Sequence, residues 1–322
     1  MPSKKLINFA KTVLPLLLGV FLIWYSLSSA SPAEREELWN NILLADLKWV
    51  FLSLFFGLLS HASRAYRWKY LLEPMGYRPQ FANSFMAVMG GYLANLGVPR
   101  SGEVLRGATI STYEDIPFEK AFGTIVSERI ADLVMLMLIV IAGLLIQTEG
   151  LISYFQSHDI NPFISIGTIF IAVLLGVFLL KLIKRSQHHL MVKIREFARG
   201  LLEGMRSIVK MKRKKEFIFH TVFIWVMYLL MFYVIKFAIP ETTPLSIAGI
   251  MAAFIVGSFA ISTTNGGIGV YPIAMGAVLL LFGINQQAGE AFGWIVWGSQ
   301  TVLVILLGGF SLLFLPIFNQ KK

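Results

Sequence analysis

Hydrophobic positions in this chain run in long blocks, without the 3.6-residue stripe of a surface helix or the alternation of a half-buried strand. Six blocks, near Thr12–Ser28, Trp49–Tyr70, Phe122–Gln147, Pro162–Leu182, Phe217–Ala238 and Ala291–Phe314, approach or exceed the length of a membrane span. A helix rising about 1.5 Å per residue needs roughly 20 apolar residues to cross a hydrocarbon core about 30 Å thick. Two further apolar stretches, near 81–110 and 245–282, are interrupted in the middle. Gly97-Val98-Pro99-Arg100-Ser101-Gly102 breaks the first, and Thr263-Thr264-Asn265-Gly266-Gly267-Ile268-Gly269 breaks the second. Glycine weakens a helix by its backbone freedom, and Pro99 removes a backbone donor.

Lys and Arg placement assigns sides. Lys4, Lys5 and Lys11 place the N-terminus in the cytoplasm, and Lys321-Lys322 place the C-terminus there. Glu34, Glu36 and Glu37 mark an external loop, Arg64, Arg67, Lys69 and Arg78 a return to the inside, and Lys212-Arg213-Lys214-Lys215 a second cytoplasmic block. The assignment closes when each broken stretch enters and leaves on one side. The predicted fold is therefore an all-α polytopic membrane protein with about six full transmembrane helices and two re-entrant helical hairpins. The hairpins belong to an inverted repeat, residues 1–160 and 161–322, a pattern of alternating-access transporters. Eight full spans is the alternative. Residues 187–211 read as an amphipathic helix on the cytoplasmic leaflet, with Lys193, Arg195, Arg199 and Arg206 off its apolar face. The N-terminal block, which a signal peptide also resembles, is read as a retained first span because the topology needs it.

Composition narrows the function. Of 322 residues 56% are hydrophobic and 14% charged, with mean hydropathy +0.70, so most of the surface faces lipid. The net charge of +10 is confined to the blocks above and points to anionic lipid, not nucleic acid. Without cysteine there is no disulfide, thiolate catalysis or cysteine metal site. His61, His158, His188, His189 and His220 lack metal-ligand spacing, and neither a Gly-x-Ser-x-Gly elbow nor a Gly-Lys-Thr phosphate loop is present. The chain is read as no enzyme and as needing no cofactor. Its movement of substrate would be driven by a gradient or run downhill.

The informative residues are charges set among apolar neighbours. Arg100, Glu103 and Arg106 share one face if helical, and Glu128, Arg129 and Asp132 open the next span. Ionised groups at membrane depth cost a few kcal/mol each and so face polar cavities or one another. Arg100 and Arg106 are expected to face Glu128 and Asp132 around a cavity for a phosphate-bearing headgroup, which the planar Arg fork suits. A structural ion-pair lock is the alternative. Arg64, Arg67 and Trp68 end the second span, as an interfacial anchor or as substrate contacts. Thr264, Asn265, Gly266 and Gly267 offer backbone amides and small hydroxyls where two half-helices meet, a setting suited to an anion.

The run Asn95-Leu96-Gly97-Val98-Pro99-Arg100-Ser101-Gly102-Glu103-Val104-Leu105-Arg106 resembles the first signature of the lysylphosphatidylglycerol synthase transmembrane family, also called flippase-like membrane proteins. Ser127-Glu128-Arg129-Ile130-Ala131-Asp132 is similar to its Glu-Arg-x-x-Asp element; Ile116-Pro117, Arg64-x-x-Arg67-Trp68 and Asn265-Gly266-Gly267-Ile268-Gly269-Val270 continue the likeness. The resemblance implies an inner-membrane protein that moves lipid, with Arg100, Glu103, Arg106, Glu128, Arg129 and Asp132 lining or gating the headgroup path. No soluble aminoacyl-transfer domain accompanies the membrane part in this sequence, so synthase activity is not expected. Thr263-Thr264 and Tyr271-Pro272 stand where relatives often carry a proline and an acid, so no acidic gate is expected in the second hairpin.

The expected function is a flippase-like transporter of a phosphate-bearing lipid (phospholipid, aminoacylated or polyprenyl-linked) between leaflets. The alternatives are a small-solute or ion-coupled secondary transporter, and a non-transporting scaffold for envelope lipid enzymes. The expected partners are lipids with anionic or zwitterionic headgroups, with a second copy of the chain or an envelope lipid enzyme as further partner classes.

Overall fold

A computed structural model describes residues 17, 20–21, 23–147, 211–263 and 266–320. The expected Pro162–Leu182 span and the 187–211 amphipathic helix fall outside them, apart from Met211, as does much of the first block. All regular structure among the described residues is helical, and they fall into two compact units, Met1–Ile125 with Lys212–Lys322, and Val126–Met211.

The helices are α1 (Pro32–Leu43), α2 (Leu47–Leu72), α3 (Phe81–Gly97), α4 (Ser101–Glu114), α5 (Phe118–Ile146), α6 (Lys214–Val234), α7 (Ile247–Thr263), α8 (Val270–Leu280) and α9 (Gln286–Asn319). Residues 23–29 are also helical. Phe118–Ile146, Lys214–Phe237 and Gln286–Asn319 are each long and apolar enough to cross a membrane. Pro32–Leu43 and Leu47–Met75 qualify as a pair bent by 66°. The chain is thus an all-α membrane protein, as its hydropathy predicts.

One expected loop is a helix. The acidic segment after the first block forms α1, because Ser31 caps it: the Ser31 side chain accepts from Glu34 N, and Glu34 Oε2 accepts from Ser31 N at 2.7 Å.

Both broken stretches are hairpins. In the first, Glu114 at the end of α4 accepts from Gln80 N at 3.0 Å and Asn83 Nδ2 at 2.6 Å, at the start of α3. Nearer the tip, Gly91 and Gly102 bring the backbones into direct contact, and a Cβ on Gly102 would collide with the Gly91 carbonyl oxygen. The reversal needs Arg100 in the left-handed region, φ 63°. In the second hairpin, Cβ atoms on Gly249 and Gly257 would stand 3.0 Å from the Phe282 ring and 2.8 Å from the Tyr271 ring, so α7 and α8 also run antiparallel. Arms of 17, 14, 17 and 11 residues span only about 16–25 Å, short of a hydrocarbon core.

Helix α9 carries both hairpins. Asn319, at its C-terminal end, exchanges hydrogen bonds of 2.9 and 3.0 Å with Asn83 at the base of the first hairpin. Towards its N-terminal end, Gly289 packs on Gly276 of α8 and Gly293 on Pro272. Trp297 then reaches the tip of the second hairpin. The two hairpins therefore open towards opposite ends of α9.

Candidate functional site

The tips of the hairpins converge. A Cβ on Gly266 would lie 3.6 Å from Leu96 Cδ2, and the Gly266 carbonyl accepts from Trp297 Nε1 at 2.7 Å. Gly266, Gly267 and Gly269 have φ of 69°, 84° and 71°, conformations that strain L residues. Gly267 is buried. Thr264 and Asn265 lie outside the described residues. On the other tip, Asn95 Oδ1 accepts from Gly102 N at 2.7 Å, giving the second amide of α4 a partner that its own helix does not supply.

Arg100 does not share the helical face of Glu103 and Arg106. It stands at the turn, exposed, whereas Glu103 is half-buried and Arg106 is buried. The left-handed turn that reverses the chain ends the helical register at Ser101, so the three-residue spacing holds only from Glu103 onward.

Arg64, Arg67 and Trp68 do not sit at the surface. They are 3%, 0% and 0% exposed, which removes the interfacial-anchor reading. Antiparallel packing of α2 on α6 places Arg67 Nη1 2.9 Å from Thr221 Oγ1, whose own hydroxyl donates to Phe217 O at 2.8 Å. The Arg67 guanidinium lies 5.2 Å from the Phe217 ring centre. Arg64 Nη2 donates to Tyr228 Oη at 3.4 Å. Trp68 turns towards the first hairpin: its Nε1 donates to Thr124 Oγ1 at 2.7 Å, and the Arg106 guanidinium covers its ring at 3.8 Å. Trp68 also joins Leu72, Ala87, Ile110, Ile116, Ala121 and Ile125 in a buried cluster that fixes this hairpin on α2. A guanidinium held over an aromatic face keeps its charge, and its N–H groups radiate in its own plane, the geometry that grips phosphate oxygens.

Neighbouring cations lie against aromatic rings and carboxylates. Lys69 Nζ lies 3.4 Å from the Tyr66 ring centre, and Arg213 stacks 5.0 Å from Tyr70 while pairing with Glu216 at 3.0 Å and Glu73 at 3.8 Å. The Glu216 hydrogen bond holds the Arg213 guanidinium above its ordinary pKa.

Glu128, Arg129 and Asp132 belong to the second unit. Glu128 and Asp132 are buried, and Arg129 is exposed, with Nη1 4.0 Å from Asp132 Oδ2.

Sequence reasoning passed over several polar groups. Thr221 and Tyr228, seven apart on α6, share the face that meets α2; that spacing was the available signal. His61 is buried between the rings of Tyr92 and Tyr228, at 5.0 and 6.5 Å. Glu290, the sole ionisable residue of α9, is buried too. Among the described residues no group of His, Asp or Glu forms a metal site.

The family described as Lysylphosphatidylglycerol synthase TM region matches residues 12–308. The UPF0104 membrane protein of Methanocaldococcus jannaschii is 29% identical over 100 residues, 30% of this chain and 30% of that protein. The matched part thus spans under a third of that relative's length. No solved structure matches the chain.

Proposed function

The chain belongs to the lysylphosphatidylglycerol synthase TM region family, and from that premise we propose that it moves a phosphate-bearing lipid between leaflets. The observation that carries this reading is the pair of oppositely opening hairpins meeting tip to tip, with buried Arg64, Arg67 and Arg106 beside the first. A barrier two short tips thick is thin enough to open alternately to each side, and irregular backbone at membrane depth is tolerated where it lines a polar path. The guanidiniums supply positive charge for a headgroup phosphate within the protein while the acyl chains stay in lipid. No bond in the lipid is made or broken, so the role is transport and not catalysis. The protein works in the inner membrane with both termini cytoplasmic, and the first hairpin opens to the cytoplasm.

Reconstitution tests the reading. Vesicles containing the protein and a fluorescent phospholipid, with an external quencher, are expected to show faster exchange between leaflets than empty vesicles, and Arg106→Gln to slow it. Exchange no faster than in empty vesicles across phospholipids, aminoacylated lipids and polyprenyl phosphates rejects it. Uptake of small anions with no lipid movement would select the small-solute alternative.

A further inference from the structure

Glu290 lies at the base of the second hairpin, away from the Arg residues above, and is 7% exposed. Its Oε1 accepts from Gln286 Nε2 at 2.9 Å and its Oε2 from Ser26 Oγ at 3.2 Å. Gly276 of α8 makes room for it: a Cβ there would stand 2.6 Å from Glu290 Cγ. Among the described residues no Lys, Arg or His forms an ion pair with it. Among the described residues the titratable groups on neighbouring elements include Tyr25 on 23–29, Glu34, Arg35, Glu36 and Glu37 on α1, Tyr233 on α6, Tyr271 on α8, and Lys236 and Glu241 in the turns before α7. Of these, Glu37 accepts from Asn285 and Lys236 donates to Leu245 O. Carboxylates buried in membrane proteins without a counter-charge mark ion and proton paths.

We propose that Glu290 is a proton-binding site that couples lipid movement to a proton gradient; this rests on the transporter reading above. A proton from water on the side to which the second hairpin opens adds to Oε2. The Ser26 hydroxyl then rotates from donor to acceptor, while Gln286 keeps donating to Oε1, now the carbonyl oxygen. Both protonation states therefore keep two hydrogen bonds, which a hydroxyl permits and a purely donating partner such as Lys does not. The neutral carboxyl packs in the Gly276 slot. The charged form draws water into it and favours separation of α8 from α9, so protonation biases the second hairpin between two positions.

The test uses the full chain in lipid nanodiscs and in vesicles. Infrared difference spectra between about pH 9 and pH 4 are expected to contain a protonated-carboxyl band that Glu290→Gln removes and Ser26→Ala shifts in midpoint. In vesicles, one proton per lipid supports up to about tenfold lipid asymmetry per pH unit of gradient. Glu290→Gln should abolish that asymmetry. A spectrum without a Glu290-dependent band overturns the proposal whatever the transport result, as does a wild-type gradient response in Glu290→Gln. Should Glu290→Gln fail to fold, a band whose midpoint Ser26→Ala leaves unmoved overturns it. Lipid exchange by the native protein that ignores the gradient rejects the coupling and leaves the transporter reading standing. No exchange of any lipid rejects both.

Discussion

Leu96 and Gly266 meet where the two hairpin tips converge, a Cβ on Gly266 standing 3.6 Å from Leu96 Cδ2. Gly266 is tied to α9 through Trp297, and the arm that Leu96 ends is tied to α9 at its base, through Asn83.

The chain has no cysteine, so a pair introduced at 96 and 266 can be joined cleanly. A short bifunctional thiol reagent is expected to link L96C to G266C and stop lipid exchange, while either single variant continues to work after the same treatment. Exchange undiminished in fully linked protein would remove the tips from the path.

Backbone contact between α3 and α4 leaves no room at Gly102. The added methyl of Gly102→Ala would meet the Gly91 carbonyl oxygen and Asn95 Nδ2. Overpacking of this kind costs about 1–3 kcal/mol. Gly97→Ala is the control, because a Cβ there meets nothing within 4 Å. Thermal unfolding in detergent should separate the two variants; equal midpoints would mean that the hairpin arms are not held this closely.

The Arg106 guanidinium lies over the Trp68 ring in a buried setting, a contact worth about 1–2 kcal/mol. Arg106→Lys keeps the charge and loses the plane, so both stability and lipid exchange should fall. A double-mutant cycle with Trp68→Leu isolates the pair, with an expected coupling near 1 kcal/mol. A coupling indistinguishable from zero would leave the stack without energetic weight.

Thr221→Val keeps the shape of the side chain and removes the acceptor of Arg67 Nη1. Hydrogen bonds to charged groups contribute about 1.5–3 kcal/mol, so the variant should unfold earlier and Thr221→Ser should recover most of the loss. A loss in Thr221→Ser that Thr221→Val does not share would point to methyl packing instead.

Much of the fold was legible because its signals are local. The apolar blocks predicted α2, α5, α6 and α9, with ends displaced by a few residues where polar first turns extend the helices. Pro99 and the glycines located both breaks. Helix α1 was missed although its capping box stands in the sequence as Ser31 and Glu34, because acidic composition was read as loop. Arg64 and Arg67 were visible as candidates, but whether they pointed to the membrane surface or inward was not.

The sequence by itself determined that the chain lives in a bilayer, where its helices are interrupted, and which charges stand among apolar residues; each follows from composition within a few turns. Only the tertiary structure decided that each interrupted stretch folds back, that the tips touch, that Arg106 covers Trp68, and that Glu290 sits in a slot left by Gly276. The physical reason is that helices apolar on every side carry little amphipathic signal. Which face meets which neighbour is then set by close packing at a few small residues, and by hydrogen bonds between residues far apart in the chain.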